Sequence, residues 1–324
     1  MTIEKSVLVP RDADQTFALL TEPERLRRWQ GISARVDLRA GGEYRWTVVP
    51  GVNAGGTFVE IEPGRRLVFT WGWEGNDALP PGASTVTITM EPAEGGTMVR
   101  LVHEGLTGDQ ESGHLKGWSH YAERLAAAAR DGDAGMDQWM QRSAEELDQL
   151  SAAEASLALC QHVLRHMDPA AGSAQTPCAK FDVDQLVEHL TGSIVTLGAA
   201  VGVTVMPASG SSREARLADT AQPVLEGWHR RGLDGTVKLV GGELPAEIGS
   251  RILSMEFLVH AWDFAQATGQ DLPANEALSG YVLGLAHGLI ASQMRDGDLF
   301  ADEVVPGPQA DAITRLAAFT GRSV

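Results

Sequence analysis

The chain has 324 residues and a formal net charge of -17, so a phosphate backbone or an anionic membrane surface would repel it, and no basic cluster offsets that field. Its two cysteines, Cys160 and Cys178, are too few for a disulfide framework and suit a reducing compartment. Nucleic acid and membranes are therefore not expected as partners, and a small molecule in the cytoplasm is. At ~100–200 residues per domain the length predicts two domains.

The opening "MTIEKSVLVP" carries Glu4 and Lys5 where an export signal needs an apolar run. The most apolar stretch, 193–206, falls short of the ~20 residues of a membrane span and is broken by glycines. From Ile3 to about His103 apolar residues recur at every second position, as in "TFVEIEP", "RLVFTWGW", "TVTITMEP" and "TMVRLVHE". That period predicts half-buried strands, and Gly41-Gly42, Gly55-Gly56 and Gly95-Gly96 punctuate them as turns of an antiparallel meander. Two stretches break the rhythm. Residues 13–29 predict one or two short helices, and 112–130 predict a long one, with Leu115, Trp118, Tyr121, Ala122, Leu125 and Ala129 on a single stripe. Only the sheet is available to bury that stripe, so an α+β domain with a cavity between sheet and helix is expected. Trp71, Trp73, Trp118 and Tyr121 either line this cavity as a substrate pocket or are plain core.

The polar, glycine-bearing segment 130–137 marks a boundary between a domain at 1–132 and another at 136–324. Beyond it the alternation fades. Helices are predicted over 136–167, 183–201, 212–231, 246–267 and 275–294, with a short closing helix at Ala312–Phe319. Four are long enough for an all-α four-helix bundle.

One stretch of that bundle, "EFLVHAWDFAQATG", sets Glu256 four residues before His260, on the same face of a helix. The pair is either a solvated i, i+4 contact or half of a metal site. Phe257, Leu258, Val259 and Trp262 surround it, and buried without a partner the two groups would cost several kcal/mol. Divalent ions such as zinc favour imidazole and carboxylate ligands, and a catalytic site keeps three protein ligands and one open place. His189, on a helix whose Val183, Leu186, Val187 and Leu190 face inward, is the candidate third ligand. Asp263 either supports a ligating imidazole or pairs with a neighbouring helix. His287, in "LGLAHGLIASQ", is a site residue or a satisfied core histidine. Cys178 is a reactive or a structural thiol, and Arg295 and Arg322 steer an anionic substrate or are simply charged helix ends.

The strings "DLRAGGEYRW", "GGTFVEIEPGRRLVFTW", "GGTMVRLVHEGL" and "GWSHYAERLA" resemble the SRPBCC (START-like, helix-grip) superfamily, in the branch related to activators of the heat-shock ATPase. That resemblance implies an apolar ligand cavity roofed by the last helix. From about residue 136 onward, "TPCAKFDVDQLVEHLTG", "LPAEIGSRILSMEFLVHAWDFAQATGQ" and "FADEVVPGPQADAITRLAAFTGR" resemble the DinB-like metal-binding family of mycothiol-dependent maleylpyruvate isomerase and thiol S-transferases. Lys180-Phe181 departs from it, since Trp is more usual there. This second resemblance assigns His189, Glu256 and His260 as ligands of a divalent metal, zinc by preference, and implies mycothiol as cosubstrate. The expectation is a metal-dependent thiol transferase or isomerase. Its alternatives are a natural-product cyclase or dehydratase working in the START-like cavity, and a non-catalytic binder with a structural metal. A homodimer is a habit of such proteins.

Overall fold

The predicted strands form in the computed structural model, which describes residues 2–206, 212–239, 242–295 and 300–324, but Gly55-Gly56, expected as a turn, lies inside the strand Val52–Glu62 opposite Arg45 and Tyr44, where a Cβ on Gly56 would run into Thr70 O. Two units divide the chain, Met1–Gln138 and Trp139–Val324. In the first, β1 (Thr2–Val9) precedes helices α1 (Ala13–Thr21) and α2 (Pro23–Leu26). β2 (Ser33–Val36), β3 (Glu43–Val49), β4 (Val52–Glu62), β5 (Arg66–Trp71), β6 (Ser84–Ala93) and β7 (Gly96–Glu104) follow. All join one seven-stranded antiparallel sheet in the order β1-β7-β6-β5-β4-β3-β2. One face carries Tyr44, Trp46, Phe58, Phe69 and Trp71, all buried.

The last helix of this unit, α3 (Gly108–Asp131), begins where the Gln110 side chain accepts from the Thr107 N–H at 3.0 Å. It ends at Gly132, whose φ of 89° suits a residue without a Cβ. Trp118, Tyr121, Leu125 and Ala129 of the expected stripe are buried, as is Ala128 beside it, while Ala122 is half-buried. Leu115, expected on the same stripe, is instead 45% exposed, because the helix buries nothing before Trp118.

In the second unit α4 (Gln149–His166), α5 (Val183–Ala199), α6 (Arg213–Arg231) and α7 (Ala246–Thr268) pack as a ring: α4 on α7, α7 on α5, α5 on α6 and α6 on α4. α8 (Glu276–Leu289) lies against α7 and α9 (Ala312–Phe319). Aspartates open three of these helices: the side chains of Asp148, Asp182 and Asp311 accept from the backbone N–H three residues on.

Two expectations need correction. The second half is not all-α: between α6 and α7 stands a hairpin of β8 (Thr236–Leu239) and β9 (Gly242–Pro245), in which Val237 is buried while Thr236 and Lys238 are exposed. That two-residue period is too short to stand out beside helices. The helix expected from residue 136 starts only at Gln149, because the Ser143 N–H turns back to the Glu146 carboxylate at 3.0 Å and Asp148 then starts a fresh helix. What precedes it is two short 3-10 turns, Gln138–Met140 and Ala144–Glu146.

Candidate metal centre

Every residue from Phe257 to Ala265 of α7 is buried, so the helix is enclosed on all sides and its polar groups must find partners inside the unit. Glu256 and His260 stand one turn apart, with His260 Nε2 3.7 Å from Glu256 Oε2. α5, whose first turn is fixed by Asp182 accepting from the Gln185 N–H at 2.9 Å, brings His189 to the same point. One donor atom from each of His189, Glu256 and His260 lies within 4.8 Å of the others. The two imidazoles meet edge to face, with centroids 5.5 Å apart at 83°. His189 is otherwise exposed, but Phe181 stacks on its ring at 4.8 Å and 21°, which limits the directions its nitrogens can take.

Asp263 Oδ2 lies 2.9 Å from His260 Nδ1. An ionised carboxylate only accepts, so Nδ1 carries a hydrogen, and in the neutral imidazole the Nε2 lone pair then faces Glu256 and His189. Arg322 closes the arrangement from the far end of the chain, donating through Nη2 at 2.8 Å and Nε at 3.2 Å to the same carboxylate. Asp263 and Arg322 are both buried, and a forked, charge-assisted pair offsets the desolvation that either would suffer alone.

The electrostatics follow from this packing. Burial opposes charge on Asp263, yet the hydrogen bond from His260 and the Arg322 guanidinium hold its carboxyl below the usual range. Burial likewise opposes charge on Glu256, and the imidazoles of His260 and His189 keep it low. His260 is raised: desolvation is outweighed by Asp263 and Glu256. His189 is lowered by desolvation of its covered flank, against the pull of Glu256.

The residues fit a divalent cation. Glu256 Oε2 is a buried carboxylate oxygen with no hydrogen-bond partner among the described residues, turned toward two imidazoles. Such an orphan costs about 1–3 kcal/mol or more when charged, and a cation would satisfy it. Ligand atoms ~2.0–2.2 Å from one tetrahedral ion stand ~3.3–3.6 Å apart, close to the 3.7 Å between Glu256 and His260. Two nitrogens and one oxygen suit zinc and leave a fourth position open.

The other candidates are placed differently. Trp118 and Tyr121 line a cavity between sheet and α3 of only about 40 Å³, far below the ~300 Å³ of a ligand pocket. Trp71 and Trp73 do not line it; they pack edge to face at 5.1 Å in an aromatic cluster. His287, in the second unit, sits edge-on to Phe319 at 4.3 Å, and Arg295 lies 4.7 Å over the same ring. Sequence reasoning missed the role of Arg322, because nothing local pairs it with Asp263, and it missed the stacking of Phe181. Cys178, half-buried in the loop before α5, has its thiol pushed up by burial, as a structural cysteine would.

Residues 11–130 match the family described as Activator of Hsp90 ATPase homolog 1-like protein, AHSA1. An uncharacterized protein of Mycobacterium tuberculosis strain H37Rv, Rv0738, is 31% identical over 155 residues, spanning 46% of this chain and 84% of its own length. The AHSA1-like protein RHE_CH02687 of Rhizobium etli, known from a solution structure, is 35% identical over 46% of this chain and 91% of its own, with a TM-score of 0.36. DynU16, from the dynemicin biosynthetic locus, is 22% identical with a TM-score of 0.37, and the match spans about half of it, 48%. Among the described residues no helix is long and apolar enough to cross a membrane. The first unit is thus an AHSA1-like domain of the SRPBCC, helix-grip kind, and the chain belongs to the same family as the uncharacterized mycobacterial protein.

Proposed function

We propose that the second unit is a metal-dependent enzyme, a thiol S-transferase or isomerase acting on a small electrophile with mycothiol or a similar low-molecular-weight thiol. The observation that carries this reading is the convergence of His189, Glu256 and His260 from two helices, with Asp263 and Arg322 bracing His260 from behind. Such bracing supports a catalytic more than an incidental cluster, since ligating imidazoles are oriented by a carboxylate behind them. The resemblance of this half to the DinB-like thiol transferases supplies the thiol.

His189, Glu256 and His260 would hold the ion. When bound, a divalent ion supplies Lewis acidity, lowering the pKa of a thiol or water beside it. The chain's own residues set the rest. Asp263 keeps the proton of His260 on Nδ1, so Nε2 stays a donor of its lone pair. Arg322 keeps Asp263 ionised and fixed. Phe181 stacks on the His189 ring and limits its rotation.

Elemental analysis of the purified protein is expected to return about one divalent ion per chain, and a cobalt-substituted form titrated with a small thiol is expected to develop a sulfur-to-cobalt charge-transfer band. Bound metal without that band would move the reading to the cyclase or binder alternatives. No metal at all would end it.

A further inference from the structure

The space between sheet and α3 is nearly filled, yet the first unit keeps a far roomier one on its surface. Where α1 and α2 meet the last turns of α3, a cleft of about 370 Å³ opens to solvent, within the ~300–1,000 Å³ of small-molecule sites. Leu19 of α1 and Ala128 and Ala129 of α3, all buried, give it an apolar floor. Arg11, Arg25 and Arg28 stand around that floor together with Glu22 and Glu24. Three guanidiniums against two carboxylates leave the cleft one positive charge, in a chain whose formal net charge is -17. Its local sign is thus opposite to that of the molecule as a whole.

The hydrogen bonds within the cleft leave donors in excess. Arg25 Nε donates to Glu22 Oε2 at 2.5 Å, and Arg28 Nη2 donates to Glu24 Oε1 at 2.9 Å. Arg28 Nη1 reaches Gly132 O at 3.3 Å, and Ala128 O accepts from the Gly132 N–H at 2.9 Å. These two carbonyls at the end of α3 are therefore satisfied and call for no cation. Arg28 Nε, in contrast, is buried with no acceptor among the described residues, so this guanidinium is underpaired. Arg11 is exposed and has no carboxylate beside it among the described residues. A guanidinium keeps its proton at any ordinary pH and pairs as a two-pronged fork with a phosphate or a carboxylate.

We propose that this cleft binds a small molecule through one oxyanion group, a phosphate or a carboxylate, held by Arg11 and Arg28, with a few carbon atoms of its body over Leu19 and Ala129. Glu22 and Glu24 on the same rim repel an extended polyanion, so the site selects a single small anion. This inference concerns the first unit and does not rest on the metal reading of the second.

The test titrates the full chain calorimetrically, at low ionic strength, with inorganic phosphate and separately with succinate. At least one is expected to bind with a Kd below about 1 mM, and the tighter of the two names the anionic group. Arg11→Gln is expected to weaken that binding about tenfold, as the loss of one charge-assisted fork predicts, with the circular dichroism unchanged. His189→Ala, at the candidate metal centre, is expected to leave it within about twofold, since the two sites share no residue. Binding of neither probe, full affinity in Arg11→Gln, or loss of binding in His189→Ala would each overturn the proposal.

Discussion

His260 faces two carboxylates with its two nitrogens, and this division of labour makes its neighbourhood sensitive to single changes. Asp263→Asn keeps the shape but removes the charge that fixes the tautomer; metal affinity is expected to fall 10–100-fold, measured by competition with a chromogenic chelator. Arg322→Ala leaves a buried carboxylate without its fork and is expected to cost about 3–5 kcal/mol in urea unfolding of the second unit. A loss below about 1 kcal/mol would mean that water already reaches Asp263. In the first unit His103, fully buried, has its pKa pushed down to about 3, first by burial and then by the neighbouring His114. Since the folded value lies below the unfolded value of ~6.5, the unfolded chain takes up the proton first. The stability owed to neutral His103 is complete above about pH 6.5 and is lost as the pH falls toward 3, by something on the order of 4–5 kcal/mol. Replacing His103 by Gln is expected to flatten the decline of the urea midpoint between pH 7 and pH 4. An equally steep decline would assign it to other groups.

At the scale of elements, α5 matters because it delivers His189 within two turns of its own N-terminus. Asp182 caps that turn, and its backbone N–H returns to the Gln185 side chain at 3.0 Å. Asp182→Ala is expected to lower stability by about 1 kcal/mol and to weaken metal binding as well, since fraying the first turn loosens the imidazole it carries. Stability loss with metal affinity untouched, measured by calorimetric titration, would show that Phe181 alone positions His189. The starts of α5, α8 and α9 were legible from the sequence because Asp182, Asn275 and Asp311 stand directly before amphipathic runs, whereas Asp148 lay hidden inside the run expected from residue 136 and α8, expected to reach 294, stops at Leu289. The hairpin of β8 and β9 was not, because four residues of alternation carry too little signal against neighbouring helices, and its one buried side chain, Val237, owes its burial to tertiary packing.

For the molecule as a whole, two units with separate cores predict two unfolding events. A ligand stabilises only the unit that binds it, by about 2.7 kcal/mol at a hundredfold excess over its Kd. Calorimetry with zinc and then with a chelator is expected to move the transition of the second unit and leave that of the first in place. Movement of both together would show that the units unfold as one. By itself the sequence determined where most strands of the first unit and most helices lie, that Glu256 and His260 share a helical face, and that the first part is AHSA1-like, because those properties rest on periodicity and short-range spacing. Only tertiary structure decided the convergence of His189 on that face, the grip of Arg322 on Asp263 across 59 positions, and the near closure of the cavity to about 40 Å³. Those depend on how helices and sheet pack in space, where residues distant in sequence meet and side-chain volume, not pattern, settles how much room is left.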